Sequence, residues 1–277
     1  MEIVLRDPSK IETFTMIFQH VKLFTDHINL FMEKERFFVQ LMDKSHVSIF
    51  EIYLPSTWFD EYHCQRESGF RIGIHSSVFF KVLGTCDKRQ QQLQIQFDED
   101  DSDKLFVNFT SMDTDANTSA STNTSTNKEF DKHFEIPLMD IDSETMHIPM
   151  IDYQAEFSIP SATFANMISQ LKMFGDTLDI ACSEEAIQMS SISNEAGKMS
   201  VDIPINDLNS FAIEEGQQLN LSFSLLHLYN ICMYSKLSKD IDIFITSEYP
   251  IKLVYRLFGS EDSRIVFYLA PKISDNE

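Results

Sequence analysis

The chain has 277 residues, 43% of them hydrophobic, and a formal net charge of −21. That length buries a sizeable core in one large domain or two ordinary ones. The charge excludes a domain whose overall field attracts phosphate, so any contact with nucleic acid has to come from a locally basic surface.

In chain order, the segment Met1-Glu2-Ile3-Val4-Leu5-Arg6-Asp7-Pro8 lacks the charged lead and apolar stretch of a secretory signal. No window is long and apolar enough for a membrane span, and a soluble, intracellular protein is expected. Short period-two segments interrupted by four apolar-patterned helices predict an α+β fold. The first helix is expected over residues 9–24, where Ser9 and Glu12 have capping-box spacing and Ile11, Phe14, Phe18 and Val21 share a face. A second is expected over residues 76–83, ending before Gly84. A third opens at Ser161 after Pro160, with Phe164, Ile168 and Leu171 inward and Gly175 as its stop, and a fourth runs over residues 224–237.

Gln94-Ile95-Gln96-Phe97 and Lys104-Leu105-Phe106-Val107 read as a hairpin whose turn carries Asp98, Glu99, Asp100, Asp101 and Asp103. The whole order of elements recurs roughly 150 residues later, which is a two-domain duplication. There Asp242-Ile243-Phe244-Ile245 and Lys252-Leu253-Val254-Tyr255 form the matching hairpin. Between the halves, residues 111–127 are rich in Ser, Thr, Asn and Asp with almost no apolar side chain, so a surface loop is expected. The expected division is an N-terminal domain over residues 1–137, a connector over 138–153 and a C-terminal domain over 154–277.

Nothing in the sequence suggests catalysis. The seven glycines never approach phosphate-loop spacing, and the acidic run lacks the glycine of a calcium loop. Cys64, Cys86, Cys182 and Cys232 form no C-x-x-C pair, so free thiols are expected rather than a zinc site or disulfide framework. His63 and Cys64 are adjacent and face opposite sides of a strand, and no serine sits in a nucleophile elbow. No catalytic residue, metal or cofactor is expected, and the chain is not read as an enzyme.

The helices carry an electrostatic signal. Across residues 9–24, 76–84, 161–174 and 224–237 stand Lys10, Lys22, Lys81, Lys172 and Lys236 against Glu12 alone. Evenly spread, the chain's acidic residues would put about eight there. These segments are therefore nearly cleared of carboxylates inside an acidic protein.

Two runs carry a family likeness: Leu41-Met42-Asp43-Lys44-Ser45-His46-Val47-Ser48, and Val266-Phe267-Tyr268-Leu269-Ala270-Pro271-Lys272-Ile273. With the duplication they resemble the PCNA-type DNA sliding clamps of eukaryotes and large DNA viruses, over nearly the whole chain apart from residues 111–127. The resemblance implies two similar domains with antiparallel sheets outside, four helices lining a central pore, and a homotrimeric ring. It implies a DNA polymerase processivity factor of DNA replication and repair, encircling duplex DNA without reading bases and placed there by a separate ATP-dependent clamp loader. Lys10, His20, Lys22, Lys81, Lys172 and Lys236 would face DNA, while Asn166, Ser169, Leu226 and Met233 stand where the family places basic residues.

The family also has a hydrophobic pocket beneath the connector that receives the PIP box, a short helical plug with two aromatic side chains. The matching residues are Met42, His46, Val47, Ile49, Met146, Ile148, Tyr153, Pro250, Tyr268, Leu269, Ala270, Pro271 and Lys272. Phe134, Lys198, Met199, Val201 and Ile203 match the strands that pair between subunits. Pro137 and Pro204 lie near the ends of those strands and remove ladder donors. A monomeric or heterotrimeric, checkpoint-type relative and an acidic adaptor that does not encircle DNA are the alternatives. The implied location is the nucleus, or a cytoplasmic replication site for a viral protein.

Overall fold

A computed structural model describes residues 1–99, 103–112, 130–142 and 145–272. Of the polar stretch 111–127, residues 113–127 lie outside the described residues, as do Asp100, Asp101 and Ile273 of the runs quoted above. The first repeat comprises β1 (Glu2–Leu5), α1 (Pro8–Gln19), β2 (His27–Met32), β3 (Arg36–Met42), β4 (Ser48–Pro55), β5 (Glu61–His63), β6 (Phe70–His75), α2 (Ser76–Leu83), β7 (Gln91–Gln96), β8 (Lys104–Ser111) and β9 (Lys132–Pro137). The second comprises β10 (Ala155–Pro160), α3 (Ser161–Leu171), β11 (Thr177–Cys182), β12 (Ala186–Ser193), β13 (Gly197–Pro204), β14 (Ser210–Ile213), β15 (Leu219–Ser224), α4 (Leu225–Cys232), β16 (Asp240–Ile245), β17 (Ile251–Arg256) and β18 (Arg264–Leu269). Element for element the two orders are the same, as the duplication in the sequence predicts.

Two compact units form. The first takes Met1–Val39 with Leu54–Ser143, and the second takes Gln40–Tyr53 with Glu144–Glu277. In the first, the antiparallel order is β5-β1-β7-β8-β9. Alternation places Leu93 and Ile95 of β7 and Leu105, Val107 and Phe109 of β8 inward, all buried. The inward faces of α1 and α2 meet an aromatic cluster in which Phe14 packs against Phe18, Phe37, Trp58, Phe59 and Phe79. Each such buried side chain contributes about 1.5–3 kcal/mol of transfer free energy.

In the second unit, β14-β10-β16-β17-β18 repeats the strand order of the first unit's sheet, and β13-β12-β11-β15 forms a four-stranded sheet. One pairing has no counterpart in the first unit: β18 is joined on its far side by β4, with Arg264 opposite Tyr53 through to Leu269 opposite Ser48. Phe50 of β4 and Phe267 of β18 stack at 4.6 Å and seal this pair into the core with Tyr234.

Three helix ends differ from expectation. The cap of α1 is Asp7, whose carboxylate accepts from the Ser9 N–H at 2.8 Å, with Pro8 at the first helical position. Proline there has no N–H to satisfy and its φ suits the helix, so Asp-Pro outcompetes the Ser9–Glu12 capping box. Glu12 turns to Lys88 instead, at 3.6 Å. The helix ends at Gln19, so Val21, Lys22 and Leu23 belong to a separate 3-10 turn. At α4 the helix stops at Cys232; the N–H groups of Tyr234 and Ser235 reach back only three residues, to Ile231 and Cys232, which tightens the chain into turns before Leu237. The expected starts and bounds of α2 and α3 hold, with α3 ending at Leu171 before the Gly175 stop. All four cysteines are free; Cys182 and Cys232 are buried, and burial pushes the Cys182 thiol up to about 11.

Candidate partner and nucleic-acid surfaces

On the outward side of the second unit's sheet, the register sets Phe244, Lys252, Tyr268 and Ile49 in one row across four strands. Tyr268 and Ile49 are direct cross-strand neighbours and both half-buried, an apolar floor of the kind such pairs provide. Tyr153 covers the far end of the row, its ring 5.6 Å from Phe244, and the Lys252 ammonium lies over both rings at 5.9 and 4.8 Å. Burial pushes the Tyr153 hydroxyl up to about 12 and lowers Lys252, whose second influence is the repelling charge of Arg264.

The loop from Asp43 to Val47 borders the other end of this floor. Asp43 organises it: its carboxylate, 7% exposed, accepts from the N–H groups of Ser45 (3.0 Å), Val47 (2.9 Å) and Ser48 (2.6 Å) and from the Ser45 hydroxyl. Burial alone would raise this carboxyl, but the Ser45 hydroxyl and the three N–H groups outweigh it and hold it at about 2. His227 of α4 adds a contact at 3.3 Å. The turn leaves His46 with a φ of 59°, in the left-handed region, its ring nitrogen 2.9 Å from the Met42 sulfur. Val47 then accepts from the Ala270 N–H at 2.9 Å, bringing Ala270-Pro271 beside the loop.

Met42 at the end of β3, His46 and Val47 in the loop, Ile49 on β4, Tyr268 on β18 and Ala270-Pro271 after it are thus brought together, and Tyr153 lies on the same face. Met146, Ile148 and Pro250 are half-buried. Leu269 is a correction: it is 0% exposed because it alternates to the core side of β18, so it holds the wall from behind and offers no surface. Lys272 is exposed and points elsewhere, its N–H donating to the Ser222 carbonyl and its ammonium to the Thr177 hydroxyl at 2.5 Å. Gln40, which bonds the Met146 backbone, and Glu51, which bonds Gln40, also belong to this face's support. The only signal for them was two polar residues inside otherwise apolar strands.

The helices keep their low charge within tighter bounds. The charged residues of the four helices are Lys10, Glu12 and Lys81, while α3 and α4 carry none. Lys22, Lys172 and Lys236 fall in the turns that follow helices, and His20 caps the end of α1. Lys22, Lys81 and Lys236 are exposed. Lys10 lies 5.9 Å over the Trp58 ring and Lys172 4.6 Å over the Tyr229 ring, so each keeps an apolar stem packed and a charged tip at the surface.

Among the described residues, β9 and β13 each have a neighbour on one side only, β8 and β12. Phe134 of β9 packs on Phe109 at 5.8 Å, and on β13 Met199 and Val201 are half-buried and Lys198 exposed. Ile203 is 7% exposed and faces its own unit's core, so only its backbone is available at that edge. Pro137 and Pro204 are the last residues of the two strands.

No described helix is long and apolar enough to cross a membrane, and no described group of three or more His, Cys, Asp or Glu is placed to hold a metal. The family model for the proliferating cell nuclear antigen N-terminal domain matches residues 9–145, and that for its C-terminal domain matches residues 147–273. The proliferating cell nuclear antigen of Chaetomium thermophilum is 30% identical over 243 residues, 86% of each chain. Both halves are matched in order and across almost the full length, and the chain belongs to the proliferating cell nuclear antigen family of DNA sliding clamps.

Proposed function

We propose that this chain is one subunit of a homotrimeric sliding clamp that encircles duplex DNA and tethers DNA polymerase and other replication and repair proteins by PIP-box plugs. The observation that carries the reading is the unequal use of equivalent strands. By order, β4 holds in the first repeat the place of β13 in the second, and β9 holds the place of β18. Within the chain β4 pairs with β18, while among the described residues β13 and β9 keep an open edge. Pairing β9 of one copy with β13 of the next would repeat that join head to tail, and such an interface closes into a ring when the rotation allows.

The remaining features support the same reading. Helices that carry Glu12 as their single carboxylate in a protein of charge −21 suit a DNA-facing surface where sparse lysines meet phosphates, and the acidic remainder repels DNA. The face built from Met42, His46, Val47, Ile49, Met146, Ile148, Tyr153, Pro250, Tyr268, Ala270 and Pro271 would receive the plug, and residues 138–153 would be the connector that joins the two domains. Its apolar, Met-containing lining suits aromatic anchors. Loading falls to a separate ATP-dependent clamp loader, and the site of action is wherever the replicating DNA lies, the nucleus or a viral replication site. The prolines that close β9 and β13 favour one second reading, a weakly associating monomer or heterotrimer member.

Light scattering on the purified chain is expected to give three times the chain mass. Calorimetry with a peptide carrying Gln and paired aromatics is expected to give a Kd of about 1 μM or tighter, abolished by Ile148→Asp, which puts a charge in an apolar seat. A monomer at all concentrations would remove the ring, and unchanged binding by the mutant would remove the plug site.

A further inference from the structure

Glu51 of β4 is 3% exposed, a rare state for a carboxylate. Its two oxygens accept from Gln40 Nε2 at 2.8 Å and from the Tyr53 hydroxyl at 3.0 Å. The same Gln40 nitrogen donates to the Met146 carbonyl at 2.9 Å, and Gln40 Oε1 accepts from the Met146 N–H at 2.6 Å. One side-chain amide therefore pairs with both faces of the Met146 residue, as a neighbouring strand would. The partners settle which way the amide points. Its nitrogen faces two acceptors and its oxygen a donor, and the flipped amide would set oxygen against a carboxylate and a carbonyl.

Residues 145–153 have no helix or strand of their own. Among the described residues, the two bonds to Gln40 are the only hydrogen bonds that this stretch makes. We propose that Gln40 is the latch that fixes the connector at Met146, that Glu51 orients the latch, and that together they set where Ile148 stands, two residues on. Neither side chain touches the plug; both are positioning residues. The link to partner binding rests on the plug surface proposed above, whereas the latch does not.

A buried carboxylate suits the orienting task. Ionised, Glu51 only accepts, so it engages the Gln40 nitrogen and leaves the Gln40 oxygen for the backbone N–H. Tyr53 satisfies its second oxygen, which lessens the cost of burial.

The test is amide hydrogen exchange on the full chain, read at Met146, with Ile180 inside β11 as a reference for global opening. Gln40→Met keeps the volume and removes both bonds; Met146 exchange is expected to rise about 10-fold or more, with Ile180 unchanged. Glu51→Ala is expected to raise Met146 exchange by a smaller factor. Glu51→Gln is expected to restore it, since its amide oxygen still accepts from Gln40. Unaltered Met146 exchange in Gln40→Met overturns the latch, and wild-type exchange in Glu51→Ala overturns the orienting role.

A second arm measures binding of the paired-aromatic peptide, expected to weaken about 10-fold in Gln40→Met. Equal binding by Gln40→Met and wild type, with faster Met146 exchange, overturns the link between latch and partner surface. A wild-type chain that binds no such peptide removes the plug reading, while the exchange arm still decides the latch.

Discussion

Beneath α1 and α2 the aromatic rings gather around one hub on a helix, whereas the inward side chains of α3 and α4 are mostly aliphatic and the second unit's rings come largely from its strands. Five other rings surround Phe14 with centroids no farther than 6.4 Å, whereas α3 turns Phe164, Met167, Ile168 and Leu171 inward and α4 turns Leu225, Leu228 and Ile231. The order of elements is nevertheless the same in both repeats. Backbone topology needs apolar groups at the right helical and strand phases, and it leaves their shape free. Among the described residues, the repeats differ more consequentially in what they leave uncovered: an open β9 in one, an open β13 in the other, and charged residues on α1 and α2 only.

The largest effect is expected where the cores differ. Phe14→Ala removes the hub of the aromatic cluster and is expected to cost about 3–5 kcal/mol, with Ile168→Ala about 1 kcal/mol less, read by urea denaturation. Equal losses would mean that both cores relax alike around a void, and the contrast between them would carry no energetic weight. The open edges come next. Met199→Asp with Val201→Asp on β13 places two charges at the proposed join, and light scattering is expected to show the assembled mass falling about threefold while the folded chain persists. An unchanged mass would place the subunit contact elsewhere.

Much of this architecture was readable from local pattern. Gln92-Leu93-Gln94-Ile95-Gln96 alternates in burial as in sequence, and α2 ends where Gly84 predicts. Helix ends were less legible where two signals competed, as at Asp7-Pro8 against Ser9–Glu12, or where three-residue turns follow a helix without a change in hydrophobic phase, as after Cys232. Met42, Val47, Tyr268 and Pro271 of the proposed partner face lie in the two runs that carry the family likeness, but nothing in the sequence marks Glu51. Its burial depends on partners at Gln40 and Tyr53 and on a connector that passes over Gln40 at Met146, 106 positions away in sequence. A lone glutamate in a strand carries no mark of such a cover. Leu269 shows the converse: its place in a motif does not say which side of the strand it takes.

A smaller effect tests the loop that only the second unit carries. Asp43 titrates at about 2, below its ordinary 3.8. A carboxyl depressed by folding stabilises the native chain above its unfolded value and loses that contribution as the pH falls through its folded value. Wild type is therefore expected to lose on the order of 2 kcal/mol between about pH 4 and pH 2 beyond what Asp43→Asn loses, measured by denaturation at each pH. Parallel pH profiles for the two proteins would show that the Ser45, Val47 and Ser48 contacts do not hold the carboxylate in solution.

The smallest effect on stability, and the sharpest on function, concerns the helices themselves. Lys81 is exposed, and Lys10 and Lys172 rest their stems on Trp58 and Tyr229 with charge at the surface. Changing all three to alanine is expected to move unfolding by less than about 1 kcal/mol per site, because exposed charges and cation–π contacts at the surface contribute little. The same triple change should weaken DNA association and flatten its dependence on salt, since each phosphate neutralised adds about 0.9 to the slope of log K against log salt. Lys34, Lys44 and Lys132, outside the helices and the turns that follow them, serve as the matched control. If the control triple lowers the slope as much as the helix triple, the loss follows net charge alone. If the helix triple leaves the slope unchanged, α1, α2 and the turn after α3 do not face DNA. In that case the scarcity of carboxylates there reflects only helices rich in apolar residues, and an adaptor that never encircles DNA becomes the better reading.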